Sequence, residues 1–323
     1  MLRDSRGFAH KRDINDVMAI LGRSSSVDAQ KIAIGDDCAA IPDADGYLLL
    51  AIEGFLNDFV SSDPWFAGYC GVMVNVSDIY AMGGRPIAIV DAFWSRAGDA
   101  ARPLLEGLEF ASQVYGVPIV GGHSNCRNDR EQLAVAILGR AKSLLTSFDA
   151  QPGESLVAAI DLRGDFHGAN AYWDASHGQP AARLRGDLEL LPTIAEAGWS
   201  KAGKDISMAG VIGTALMLLE CSDIGADIDL AAIPRPANVS LQRWLTAFPS
   251  FGFLLSVPDA HLKNVLDCFA QRELAAAVIG HTDASHNVTL RYRDATQLLW
   301  NFELENLIGC SKASTAKGEF QHA

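Results

Sequence analysis

Apolar residues recur along this chain in two rhythms. Spacings of three and four mark helices. Val17, Met18, Ile20 and Leu21 form the apolar side of one, capped by Asp13 and running to about Gly22. Phe66, Tyr69, Cys70, Met73, Val76 and Tyr80 form the core stripe of a longer helix over 65–82. Asp63-Pro64 supplies its cap and first-turn proline, and Gly83-Gly84 with Pro86 ends it. Short apolar runs predict strands over 31–34 and 47–52, separated by the turn-rich stretch from Pro42 to Gly46. A strand over 87–93, a helix over 101–115 and strands over 117–120 and 132–140 follow. The first half therefore reads β-β-α-β-α-β-β.

Residues 146–154 carry turn formers and little apolar mass, which suits a linker between an N-terminal domain of 1–146 and a C-terminal one of 154–310. Beyond it the alternation resumes. Strands are expected over 155–160, 226–230, 251–257, 275–280 and 288–292, with helices over 188–197, 207–220, 239–247 and 260–271, and a polar segment over 163–183. Both halves are α+β, and no short-period repeat is visible.

Composition narrows the class. With 323 residues, 49% hydrophobic and 20% charged, the chain is globular and long enough for two domains. Its 26 Lys+Arg against 39 Asp+Glu give a net charge of −13 without a basic block, so an electrostatic footprint for nucleic acid or anionic lipid is not expected. Any phosphate bound here needs a metal ion or backbone amides. The six cysteines are scattered without a Cys-x-x-Cys pair, the N-terminus has no apolar leader, and no apolar run reaches the roughly 18 residues that cross a bilayer. A cytoplasmic protein with reduced, mostly buried thiols is the expectation.

Four places carry polar groups where a packed fold would rather have none. Gly35-Asp36-Asp37 puts two adjacent carboxylates at the end of an expected strand; they form a solvated turn or hold a cation. Gly68, Gly71, Asn75 and Asp78 line one face of the long helix, leaving room for a ligand or for a closely packed neighbour. Gly121-Gly122-His123-Ser124 closes a strand with amides that could approach a phosphate, or with a plain tight turn. Asp205 and Ser207 stand before an apolar helix, as its cap or as an anion and metal site. P-loop, Rossmann, zincin and nucleophile-elbow signatures are absent.

Taken in order, these segments resemble the AIR synthase related superfamily, which includes AIR synthase, thiamine-monophosphate kinase, selenophosphate synthetase and a hydrogenase maturation protein. Gly35-Asp36-Asp37-Cys38-Ala39 is similar to the Gly-Asp-Asp-Ala-Ala of the kinase and the synthetase. The block from Asn75 to Pro86, with Asp78, Ala81-Met82-Gly83 and Pro86, resembles their Asn-x-Ser-Asp-x-x-Ala-Met-Gly-x-x-Pro. Gly121-Gly122-His123-Ser124 looks like the synthetase's Gly-Gly-His-Thr, and Asp205-Ile206-Ser207 like a second-domain Asp-Ile-Ser. The resemblance implies a two-domain fold whose N-terminal domain pairs with its twin as a homodimer barrel. It also implies ATP held through Mg2+ by acidic side chains: Asp36, Asp37, Asp78 and Asp205 as metal ligands, one further ligand being either missing or supplied by Glu53, with Gly35, Asn75, Gly121, Gly122, His123, Ser124 and Ser207 around the nucleotide.

This chain departs from those relatives in places. Where the kinase and the synthetase carry Thr-Thr-Asp at the second strand's end, it reads Ala51-Ile52-Glu53-Gly54; the kinase's Asp-Gly after Asp-Ile-Ser is Met208-Ala209; and the synthetase's reactive cysteine before the first strand is missing. The resemblance implies an ATP-dependent enzyme that activates or phosphorylates a small molecule; no general base is identifiable from the sequence, His123 being the one candidate. The alternative is an ATP-binding scaffold of the same fold without turnover.

Overall fold

The computed structural model describes residues 2–21, 32–168 and 170–310. The chain opens with α1 (Arg6–Leu21), then runs β1 (Ala39–Asp43), β2 (Gly46–Gly54), α2 (Asn57–Ser62), α3 (Pro64–Ala81), β3 (Gly84–Trp94), α4 (Gly98–Tyr115), β4 (Ile119–Asn125) and β5 (Gln132–Ala141). It continues through β6 (Ser155–Ile160), β7 (Asp165–Phe166), β8 (Trp173–Asp174), α5 (Ala181–Leu188), α6 (Leu190–Glu196), β9 (Ala202–Asp205), α7 (Gly210–Ser222) and β10 (Gly225–Asp229). The last elements are α8 (Leu241–Trp244), β11 (Gly252–Val257), α9 (Asp259–Ala270), β12 (Ala275–Asp283), β13 (Asn287–Tyr292) and β14 (Ala295–Asn301). Contacts divide them into two compact units. One, the N-sheet unit, comprises 37–143 and 178–193; the other, the C-sheet unit, comprises 1–36, 144–177 and 194–323.

The N-sheet unit is built on a five-stranded sheet in the order β1-β2-β5-β3-β4. All its pairings are antiparallel except β3 with β4. The expected cap holds: Asp63 accepts the N–H of Phe66 at 3.3 Å, and Pro64 opens α3. Helices α3 and α4 approach closely because each offers a glycine at the crossing. A Cβ on Gly68 would stand 2.1 Å from Leu104 O, and one on Gly107 would stand 2.0 Å from Trp65 O. Leu49, Ala51, Val135, Ile137 and Ile89 fill the sheet face beneath. The opposite face stays apolar and open. Ile52, Ala136 and Val90 share one register row, and Leu50, Ile52 and Val90 are 47%, 69% and 43% exposed.

The C-sheet unit holds a seven-stranded sheet, β14-β13-β10-β12-β6-β11-β9, with α7 buried along its whole length. Phe8 of α1, Trp244 and Trp300 belong to its core. Glu220, near the end of α7, is fully buried and accepts N–H groups from Leu307, Ile308 and Gly309 at 3.2, 2.8 and 2.9 Å. Burial pushes its carboxyl above the usual range, against the pull of those three donors.

Several expectations are corrected. The first strand is not 31–34: residues 32–38 are irregular, and the hairpin uses β1, where Pro42 is tolerated because β1 is an edge strand; Lys31 lies outside the described residues. Asp13 does not start α1, which begins seven residues earlier, with Ser5 Oγ accepting the N–H of Phe8 at 3.5 Å; Gly22 lies outside the described residues. Residues 146–154, expected as the linker, are tied down by hydrogen bonds. Thr146 N bonds Lys201 O at 2.9 Å, and Ala150 N bonds Ser222 Oγ at 3.2 Å. Strands β9 and β14 are not among the expected elements, nor is α5; the helix expected over 188–197 is α6. All six cysteines are free thiols, and among the described residues no helix is long and apolar enough to cross a membrane.

Candidate functional site

In the N-sheet unit, the polar end of α3 is the centre of interest. Asn75 is fully buried and spends its Nδ2 on Gly71 O at 2.8 Å. Its Oδ1, and the hydroxyl of Ser77, are buried without a hydrogen-bond partner among the described residues. Buried oxygens left in that state cost about 1–3 kcal/mol each unless a ligand, ion or water completes them. One turn on, Asp78 is 6% exposed, and one of its carboxylate oxygens lies within 4.8 Å of one from Asp37. Two carboxylates at that separation repel unless a cation neutralises them. The oxygen-rich donor set fits a hard divalent cation such as Mg2+. Gly68 and Gly71 do not belong to this face: Gly68 serves the α4 crossing, and Gly71 packs on Val135, Leu108 and Leu133.

The glycine-histidine motif is not a turn. Residues 119–125 form β4, the edge strand paired in parallel with β3, and Gly121 to Asn125 are exposed. Gly122 lies opposite Asp91, and a Cβ there would stand 2.6 Å from Asp91 O and 2.8 Å from Asp91 Oδ2. Gly121 meets only Val90, at 4.0 Å. His123 stands opposite Ala92, with its ring 6.3 Å from that of Trp94, and makes no hydrogen bond or ion pair among the described residues. It therefore lacks the orienting partner that a general base ordinarily has. Ser124 lies opposite Phe93.

Asp91 is the residue that the sequence reading missed. The register carries Glu53 across to Val135, Val135 to Asp91 and Asp91 to Gly122, so both carboxylates occupy one row of the sheet. Directly paired residues share a face, and Val135 of this row packs under Gly71 of α3. Burial alone pushes the Asp91 carboxyl above its usual value. A lone Asp amid Ile-Val-Asp-Ala looks like an ordinary strand residue; only the pairing register shows its neighbours.

The C-sheet unit places the remaining candidates. Asp36 is committed to protein partners: Ser147 gives it its hydroxyl at 2.6 Å and its N–H at 2.7 Å, and Lys204 Nζ lies 3.8 Å away, with both charged side chains nearly inaccessible. That pairing makes Asp36 a buried brace, a role distinct from the metal ligand expected of it. Gly35 adopts φ +123°, and a Cβ there would strike Cys310 Sγ at 2.3 Å, so its glycine is structural. Cys221, beside it, has its thiol pushed well up by a hydrogen bond with Cys310 and by burial, which makes it a poor nucleophile.

Asp205 ends β9, 3% exposed, and accepts the Ser250 hydroxyl at 3.1 Å. Ser207 Oγ accepts Lys11 Nζ at 3.1 Å, and its N–H donates to Thr214 Oγ1 at 3.3 Å. Neither caps α7. The N-cap is Ala209, in the left-handed region at φ 83°, with no side-chain cap. Gly7 of α1 and Gly213 of α7 press on it: a Cβ on either would come within 3.2 Å of the Ala209 Cβ or closer.

Comparison with known proteins agrees with this architecture. Residues 35–141 match the family described as AIR synthase related protein, N-terminal domain, and residues 151–293 match its C-terminal domain. The chain belongs to the AIR synthase related family. An uncharacterized protein of Synechocystis sp. is 48% identical over 310 residues, spanning 95% of this chain and 96% of its own length. Two solved structures share the two-domain fold. Thermotoga maritima PurL complexed with ATP has a TM-score of 0.70 at 20% identity, covering 84% of this chain and 46% of PurL; the chain spans about half the length of that relative. A structure described as AaThiL complexed with AMPPCP and TMP has a TM-score of 0.64 at 16% identity, covering 89% and 96%.

Proposed function

We propose that this protein binds ATP with Mg2+ and uses it to activate or phosphorylate a small molecule. The observation that carries the reading is the cluster at the end of α3: buried oxygens of Asn75 and Ser77 without partners, beside the close pair Asp37 and Asp78. Two structures that share the fold support it: Thermotoga maritima PurL is complexed with ATP, and AaThiL with AMPPCP and TMP. A bound Mg2+ would offset charge on the phosphates during transfer. The chain's own part is to hold that cation through Asp37 and Asp78, with Asn75 and Ser77 completing the polar wall and Asp91 and Glu53 supplying carboxylates on the neighbouring sheet row. Asp36 supports by bracing the loop that carries Asp37.

The experiment is a thermal shift with ATP in Mg2+ and in EDTA. ATP with Mg2+ should stabilise by about 2.7 kcal/mol at a hundredfold excess over Kd, and ATP in EDTA should not. Equal stabilisation in EDTA overturns the metal-bridged reading. A second reading, an ATP-binding scaffold without turnover, is favoured by the commitment of Asp36 to Ser147 and Lys204 and by the lack of a partner for His123. ADP release that depends on an added metabolite pool decides for the enzyme; tight binding with no release decides for the scaffold.

A further inference from the structure

A cavity of about 850 Å³ opens in the C-sheet unit between the start of the chain, α8 and the outer strands β13 and β14. Small-molecule sites commonly have volumes of about 300–1,000 Å³. Its lining is apolar over Leu230, Leu241, Leu245 and Leu290, with Leu298 and Tyr292 exposed at its mouth. Arg3, Arg12 and Arg291 also line it, against Asp4 as the one acidic lining residue.

The three arginines differ in what they have left to give. Arg3 pairs with Glu305 and lies 4.4 Å from the centre of the Trp300 ring, and Arg291 Nε donates to Asp227 at 2.7 Å. Arg12, on α1, lies 5.3 Å from the same Trp300 ring and makes no hydrogen bond or ion pair among the described residues. Trp300 is itself fixed: it is 1% exposed and donates its indole N–H to Glu305 O at 3.0 Å. A guanidinium steadied on an aromatic face keeps its planar fork of donors for a carboxylate. In a chain of net charge −13, an unneutralised arginine beside a leucine-lined cavity selects a ligand of mixed character.

We propose that this cavity binds a small amphipathic monocarboxylate, its aliphatic or aryl body against the leucines and its carboxylate on Arg12. None of the residues of the acidic and glycine-rich segments lines it, so the proposal stands apart from the nucleotide reading.

The test is calorimetric titration of the full chain with octanoate and, as its uncharged counterpart, octanamide. Octanoate should bind one site per chain at least tenfold more tightly than octanamide. Arg12→Gln should abolish that advantage, and Leu298→Glu, which sets a like charge at the exposed mouth, should weaken octanoate at least tenfold. Both variants should keep the wild-type melting midpoint and the wild-type response to ATP with Mg2+. Octanoate affinity unchanged in both variants, or no octanoate binding below millimolar concentration, overturns the proposal.

Discussion

Asp91 and Gly122 face each other across the parallel pair of β3 and β4, so closely that a methyl group on Gly122 would stand 2.8 Å from the Asp91 carboxylate. The glycine keeps open the space that this half-buried acid occupies. Because burial raises the Asp91 carboxyl, the stability it contributes is full below the ordinary aspartate value near 3.8 and is lost as pH rises through the raised value. Asp91→Asn should therefore melt above wild type at neutral pH, with the gap closing in acid, while binding of ATP with Mg2+ weakens. Melting curves from pH 3 to 8 check the first half and nucleotide titration the second; a gap that fails to shrink in acid removes the burial argument.

Asp78→Asn keeps shape and removes charge. Binding of ATP with Mg2+ should fall at least tenfold while the melting midpoint stays at or above wild type, since relief of repulsion with Asp37 offsets any lost contact. A midpoint lowered by an equivalent of about 1 kcal/mol or more, with unchanged nucleotide affinity, would show that Asp78 is a structural brace.

Ala209 occupies a backbone conformation that costs an L-residue roughly 1–2 kcal/mol. Ala209→Gly should raise stability by roughly 0.5–1 kcal/mol, after deducting the greater freedom of glycine in the unfolded chain. Gly213→Ala should do the opposite, because its Cβ would meet the Ala209 Cβ at 2.3 Å. Urea unfolding of the two variants measures both, and a destabilised Ala209→Gly would show that the strain is imaginary.

The open face of the five-stranded sheet predicts a homodimer. Light scattering should find two chains per particle at micromolar concentration, and Ile52→Asp, at a position 69% exposed, should give monomers with an unchanged circular dichroism spectrum. A monomeric wild-type chain would refute this.

The sequence disclosed elements wherever a local cause acts alone. Asp63-Pro64 at the head of α3 and the apolar run 156–160 of β6 needed no tertiary context. It misled where pairing overrides local signals. Gly121-Gly122 looks like a turn, yet the β3 partner holds it extended. Gly203-Lys204-Asp205 looks like a loop, yet the antiparallel partner β11 draws it into a strand. The candidate site was legible in its residue types, since Asn75 and Asp78 stand out on an apolar helix. The spending of Asp36 on Ser147, more than a hundred residues away, and the row linking Glu53 to Asp91 depend on long-range contacts that no local pattern encodes.

The clamp on Glu220 orders events during synthesis. Its carboxylate waits for amide donors that arrive 87 to 89 residues later in the chain, and Arg3 waits 302 residues for Glu305. Residues 37–143, whose sheet is closed by contacts within that stretch, can settle while the ribosome is still at work. The other sheet cannot. Until Gly309 emerges, α7 must carry a buried acid without its partners, which favours leaving that helix unpacked. The C-sheet unit is thus the last to mature, its central helix left with an unsatisfied buried acid until Leu307, Ile308 and Gly309 have been made.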